Sequence, residues 1–291
     1  MQKGKIRVLS KTLKRIISIV IIILVLGVIG YGSLNKKSNN NDYINSSVPT
    51  LFFHGWGGSY HSEEQMANYA KSHGVTDTII RADVSSKGKV TLNGKINKNA
   101  QNPIVEVNYL DNKNGNYSKD ARWMKRVVVL LQKKYNIKKF NVVGHSMGNM
   151  TIAYYMLNYG KDKSLPKIIK QVDIAGHYNG ILGMNDEPNR MKLASNGKPQ
   201  KMDSDYKQLL KLREIYPDKQ VDILNIYGDK GDGTHSDGSV SNASSKSLKY
   251  LVSERAKSYR EKKISGPQAQ HSKLHENKTV DKLLINFLWK K

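Results

Sequence analysis

Cysteine is absent from all 291 residues. That excludes disulfides, thiolate metal sites, a cysteine nucleophile and a lipid-modified cysteine anchor, while leaving the redox compartment open. Acidic residues are missing before Asp42, where eight basic residues stand. Beyond that point 40 basic residues still outnumber the 24 acids by 16, so the excess is not confined to an N-terminal address. Such a surface suits phosphate polymers or acidic lipids, or is simply a solvated lysine-rich face. No recognition motif for nucleic acid accompanies the charge, and no nucleic-acid partner is expected. Internal repeats are also lacking. Hydrophobic residues make up 38%, with 16 Tyr and three Trp. A sizeable core is therefore expected, in one domain plus an appendage.

Lys3, Lys5, Arg7, Lys11, Lys14 and Arg15 precede an apolar run from Ile16 to Ile29, in which Ser18 is the polar interruption. A basic flank before such a run predicts a signal peptide or signal anchor over residues 1–33. No convincing small-x-small cleavage site follows, which favours an uncleaved transmembrane helix. At about 1.5 Å per residue the run barely crosses a ~30 Å hydrocarbon core, and continuing through Tyr31 and Leu34 would help. The positive-inside rule then puts residues 1–15 in the cytoplasm and the rest of the chain outside, secreted if the segment is cleaved. Residues 34–47, rich in Asn, Ser and Lys, read as a flexible spacer.

From Val48 to the end, strand-like and helix-like segments alternate, which predicts a mostly parallel sheet covered by helices. Strand character is expected at Val48–Phe53, Thr78–Ala82, Ile104–Tyr109, Phe140–Val143, Gln171–Ile174, Val221–Tyr227 and Tyr259–Ile264. Helical spacing marks Ala121–Tyr135, Met150–Tyr159, Tyr206–Ile215 and Thr279–Trp289. Asn93-Gly94, between Val90–Leu92 and Lys95-Ile96, gives a two-residue hairpin signal. Residues 177–205 lack periodicity and predict a loop or cap insertion over the C-terminal edge of the sheet.

The passage Phe140–Val143 followed by Gly144-His145-Ser146-Met147-Gly148 carries the most chemistry. A G-x-S-x-G pattern between a strand and a helix places serine on a strained turn. The flanking glycines have no side chain to collide with neighbouring backbone, and the turn lifts the hydroxyl above the sheet. Ser146 is therefore the candidate nucleophile. Upstream, a strand runs into His54-Gly55-Trp56-Gly57-Gly58.

With these passages, and with Ser236–Val240 and His271–Asn277, residues 48–291 resemble the α/β-hydrolase superfamily. More narrowly, they resemble a poorly characterised branch of Gram-positive cell-surface hydrolases. The resemblance implies a Ser-acid-His triad in that chain order, but no substrate. It also implies oxyanion donors at the backbone amides of Trp56 and Met147. His54 precedes the nucleophile and is expected to hydrogen-bond within its own loop.

A base should lie after the last strand, which leaves His271 and His275; the family's His-Ser-x-Leu pattern favours His271. The acid should follow the strand Val221–Tyr227. Asp229, Asp232 and Asp237 qualify by distance, and the Asp-Gly-x-Val pattern favours Asp237, with Asp229 as fallback. Their spacing misses the D-x-[DN]-x-[DN]-G calcium loop, so no metal or other cofactor is expected.

The expected activity is an extracytoplasmic serine hydrolase, carboxylesterase- or lipase-like, cleaving an acyl ester through an acyl-enzyme. Residues 177–205 contain no long apolar amphipathic stripe of the kind a long-chain lipase lid uses, which points to a small or polar acyl substrate. The alternative is a surface-displayed binding protein on a hydrolase scaffold, holding anionic cell-wall polymers.

Overall fold

The computed structural model describes residues 42–291. Eight strands form one sheet in the order β3-β2-β4-β1-β5-β6-β7-β8. They are β1 Thr50–Phe53, β2 Ile79–Val84, β3 Val90–Asn93, β4 Ile104–Tyr109, β5 Lys139–His145, β6 Lys167–Ile174, β7 Asp222–Asp229 and β8 Ser258–Ser265. All neighbours pair in parallel except β3, which runs antiparallel to β2. Every residue of β1 and β4 is buried. A parallel sheet is covered on both faces, which is why β1 reads as an almost wholly apolar run and why β4 buries Glu106 and Asn108 along with its apolar residues.

Alternation along the strands then sorts the core into two layers. On one face Leu51, Phe53, Val105 and Val107 meet Trp123, Val127 and Leu131 of α2 (Tyr117–Tyr135) and Ile152 of α3 (Met147–Tyr159). On the other, Phe52, Ile104 and Val143 meet Met66 and Ala70 of α1 (His61–Ser72) and Leu284 and Leu288 of α8 (Lys278–Trp289). Asn116 caps α2, its side chain accepting from the Lys119 N–H, and left-handed Asn136 ends it. Four short helices complete the set: α4 Ser204–Leu209, α5 Leu212–Ile215, α6 Asn242–Lys246 and α7 Leu248–Val252.

Two sequence expectations are corrected. Asn93-Gly94 does not turn a hairpin with Lys95-Ile96: β3 pairs instead with β2, through the turn Ser85–Lys89. There Gly88 takes φ +77° and its N–H bonds to the Ser85 carbonyl at 2.7 Å. Pairing with a buried strand outweighs the local turn signal. The single helix expected over Tyr206–Ile215 is two short ones, interrupted at Leu210 and Lys211.

From Asp42 the chain is already bonded to this body. Ile44 N–H reaches the Trp289 carbonyl at 2.8 Å, and the Asn102 amide donates to the Ile44 carbonyl at 2.7 Å. All eight strands and both packed layers lie within 42–291, so this stretch is a folding unit with its own core. The transmembrane helix expected in residues 1–33 lies outside the described residues. Among the described residues, no helix is long and apolar enough to cross a membrane.

Candidate active site

β5 passes into α3 through one residue, Ser146, at φ 51° and ψ −117°. A non-glycine residue at such angles is strained and persists only where its surroundings hold it. Here they do. The Ser146 N–H donates to the Ile174 carbonyl at 2.9 Å, and the Asn149 side-chain amide reaches the same carbonyl at 2.8 Å. The glycines flanking the turn are needed by contact. A Cβ on Gly148 would run into the Phe53 carbonyl, and one on Gly144 would lie 2.6 Å from Asn149 Oδ1.

The half-buried Ser146 hydroxyl lies 2.9 Å from His271 Nε2, and His271 Nδ1 lies 2.8 Å from Asp237 Oδ2. The three residues come from the ends of β5, β7 and β8, separated by 125 and 34 positions along the chain. Asp237 is almost wholly buried. Its second oxygen accepts the N–H groups of Ser239 at 2.9 Å and Val240 at 2.7 Å. A carboxylate so held is satisfied without solvent. It selects the His271 tautomer with the proton on Nδ1, leaving Nε2 to accept from serine.

The alternatives are placed elsewhere. Asp229 closes β7, where its carboxylate accepts from the Gly231 N–H at 3.0 Å and the Asn242 amide at 3.0 Å. Burial would raise its pKa, but these bonds and nearby Lys263 hold it below the ordinary carboxylate value. Asp232 pairs with Lys230 at 2.8 Å. The three carboxylates thus serve three different partners. His275 is packed edge-on against His145, ring centres 4.7 Å apart, with its Nδ1 buried and unpartnered. Burial lowers its pKa.

The glycine loop after β1 lies directly against Ser146: a Cβ on Gly55 would come within 3.1 Å of Ser146 Cβ. Gly57 and Gly58 commit their N–H groups to the Asn112 and Gly55 carbonyls. The Trp56 N–H takes no acceptor among the described residues, nor does that of Met147, the first residue of α3. His54 does bond within its loop: Nδ1–H donates to the Gly55 carbonyl at 2.8 Å while Nε2 accepts the Tyr109 N–H at 3.1 Å. Burial pushes its pKa down, in keeping with a neutral ring.

Sequence reasoning assigned no role to His145, Asn149 or His177. The His145 ring lies beneath the site, its Nε2–H donating to the His271 carbonyl at 3.1 Å, with burial driving its pKa well down. Its place inside the G-x-S-x-G motif was the one signal available. His177, buried past the end of β6, has its pKa pushed down to about 4 by burial. Nothing in its local sequence marks it. The loop 177–203 contains turns and two isolated bridges but no helix, and is joined to the acid loop by Leu182 N–H to the Ser239 carbonyl at 2.9 Å.

Comparison with solved structures finds the same architecture. A Listeria innocua gene product superposes with TM-score 0.75 at 25% identity, covering 84% of this chain and 94% of its own. A Lactobacillus plantarum protein described as a cell surface hydrolase superposes with TM-score 0.67 at 22% identity, covering 83% and 91%. No curated protein sequence matches the chain. The family model for "Alpha/beta hydrolase of unknown function (DUF915)" matches residues 37–291, and the chain belongs to that family.

Proposed function

We propose that this protein is a serine hydrolase that cleaves an acyl ester outside the cytoplasmic membrane, with Ser146 as nucleophile, His271 as base and Asp237 as its orienting acid. The observation that carries the reading is the hydrogen-bonded series Ser146 Oγ to His271 Nε2 to Asp237 Oδ2, at 2.9 and 2.8 Å. Nucleophile, base and orienter within direct hydrogen-bond reach are what acyl transfer requires.

In the first step Nε2 takes the Ser146 proton as the oxygen attacks the ester carbonyl. The imidazolium so formed is stabilised by Asp237 through Nδ1–H, and the new oxyanion is held by the Trp56 and Met147 N–H groups. Each such donor contributes roughly 3–4 kcal/mol in enzymes of this kind. His271 then passes the proton to the departing alcohol. Water, deprotonated by the same nitrogen, releases the acid and restores the serine.

Two further elements rest on sequence and loop structure. A small or polar acyl group is supported by the absence of any helix across residues 177–203. The basic N-terminus and the apolar run Ile16–Ile29 support a signal anchor holding the domain outside. The test is labelling of the full chain with a fluorophosphonate probe. Stoichiometric labelling that vanishes in Ser146→Ala is expected; an unlabelled wild-type chain that is otherwise folded would reject the enzyme reading.

A further inference from the structure

At the edge of the sheet opposite Ser146 lies a groove of about 570 Å³, between the C-terminal end of α2, the start of β5 and the turn after β3. Lys139 begins β5 and Ser146 follows its other end, so roughly 23 Å of extended strand separates groove from site. Four exposed lysines line the groove: Lys98, Lys134, Lys138 and Lys139. No acidic residue lines it. None of the four belongs to an ion pair among the described residues, whereas Lys119, Lys125, Lys230, Lys257 and Lys263 all do. Lys134, in the last turn of α2, is accounted for by the helix dipole. The other three lie off the helix and have no such partner. Between the cations are apolar Val48 and Ile137, and Tyr135, whose hydroxyl is buried and lacks a hydrogen-bond partner.

Unneutralised cations around a concave surface, with apolar side chains beside them, match a phosphate group carrying an apolar neighbour. The position of the chain selects among phosphates. Val48, which lines the groove, lies six residues after Asp42, before which the sequence leads back to the apolar run. Residues 34–41 span at most about 28 Å when fully extended. A membrane holding the run would thus be within reach of this edge, and basic residues near a membrane surface are attracted to its anionic lipids.

We propose that this groove seats the head-group phosphate of an anionic phospholipid, so that the domain rests on the bilayer by its lysine edge and turns the Ser146 edge away. This rests on the membrane-anchor part of the proposed function and is independent of the serine chemistry.

The test uses residues 42–291, which carry the whole core, in co-sedimentation with vesicles of phosphatidylcholine with or without phosphatidylglycerol. Binding to the phosphatidylglycerol vesicles alone is expected. Replacing Lys98, Lys134, Lys138 and Lys139 together by Gln should lower the partition coefficient by roughly 600-fold, since each lysine near the surface contributes about fivefold. A control of equal charge, Lys192, Lys201, Lys207 and Lys211 to Gln, should bind nearly as the parent does. Melting temperature and far-UV circular dichroism report that both variants fold. Equal loss in the two variants would mean diffuse charge attraction and overturn the groove. So would no vesicle binding, or binding of poly(glycerol phosphate) without vesicles. Ser146→Ala should bind vesicles like the parent, which keeps a failure of the catalytic reading distinct. Membrane fractionation of the full chain tests the anchor separately.

Discussion

Asp237 and His271 are joined twice. The side chains meet at 2.8 Å, and the His271 N–H also donates to the Asp237 carbonyl at 2.9 Å. The backbone bond fixes the two loops in register whatever the carboxylate does. Geometry and charge can therefore be separated at this pair, as they cannot be where the side chain alone makes the link.

Asp237→Asn keeps the backbone bond and the volume but offers His271 a donor where it needs an acceptor, favouring the wrong tautomer. The expected loss in kcat for a p-nitrophenyl ester is roughly 10³–10⁴-fold, with the fold intact by circular dichroism. Asp229→Asn should lose less than about tenfold, because that carboxylate anchors Gly231 and Asn242 rather than the imidazole. Reversal of the two sizes would reassign the acid.

His54 carries a different kind of dependence. Its ring joins Gly55 to Tyr109, bracing the loop that presents the Trp56 N–H. His54→Ala should leave KM nearly unchanged and lower kcat about 10- to 100-fold, below the ceiling for complete loss of one oxyanion donor. His54→Asn, which can still donate toward Gly55, should fall between. A change confined to KM would place His54 in substrate binding instead.

The fold and the turn at Ser146 were legible from burial and backbone contact, whereas His271 and Asp237 were singled out by patterns shared with the hydrolase superfamily. Parallel strands buried on both faces print as apolar runs, and Gly144 and Gly148 are demanded by backbone contacts that no other residue tolerates. Helix α1 was not legible. Its buried side consists of Met66, Ala67, Ala70 and the acid Glu63, too little apolar volume to give a stripe. Asn93-Gly94 misled because the positive φ of Gly94 is real, at 100°, but serves to lay the chain against Ile80 rather than to reverse it. The burial of His145 and His177 depends on distant chain, and only the place of His145 inside the G-x-S-x-G motif marked either of them locally.

Chain-length preference follows from the bare cap. Trp56, Leu110 and Met184 are the exposed large hydrophobic residues among those described, each on a different loop. With no helix over residues 177–203 to close an apolar tunnel, acetyl and butyryl p-nitrophenyl esters should give kcat/KM at least about tenfold above the palmitoyl ester. Residues 34–291 are the material to measure. Hydrolysis of long chains alone would show that the loops close into a lid when lipid is present.

Stability should depend on pH through Glu63. It is fully buried in the first turn of α1, and neither carboxylate oxygen has a hydrogen-bond partner. Burial, and next the charge of Glu106, raise its pKa well above the ordinary value. Glu106 itself is pushed up to about 7, by burial first and then by Glu64, against the opposing charges of Arg81 and His61. Both groups bind protons more tightly folded than unfolded, where Glu titrates near ~4.3. Their contribution to stability is therefore greatest below that value and falls as pH rises toward the folded pKa values, opposite in sign to that of Asp229 and the buried histidines. Glu63→Gln removes the ionisable group and gives Glu106 an amide neighbour. At pH 7.5 its melting temperature should rise by at least ~2 °C over wild type, on the scale of about 2–4 °C per kcal/mol for a domain of this size. At pH 4.5 the gain should vanish. A gain of the same size at both pH values would mean that packing, rather than the buried charge, governs this position.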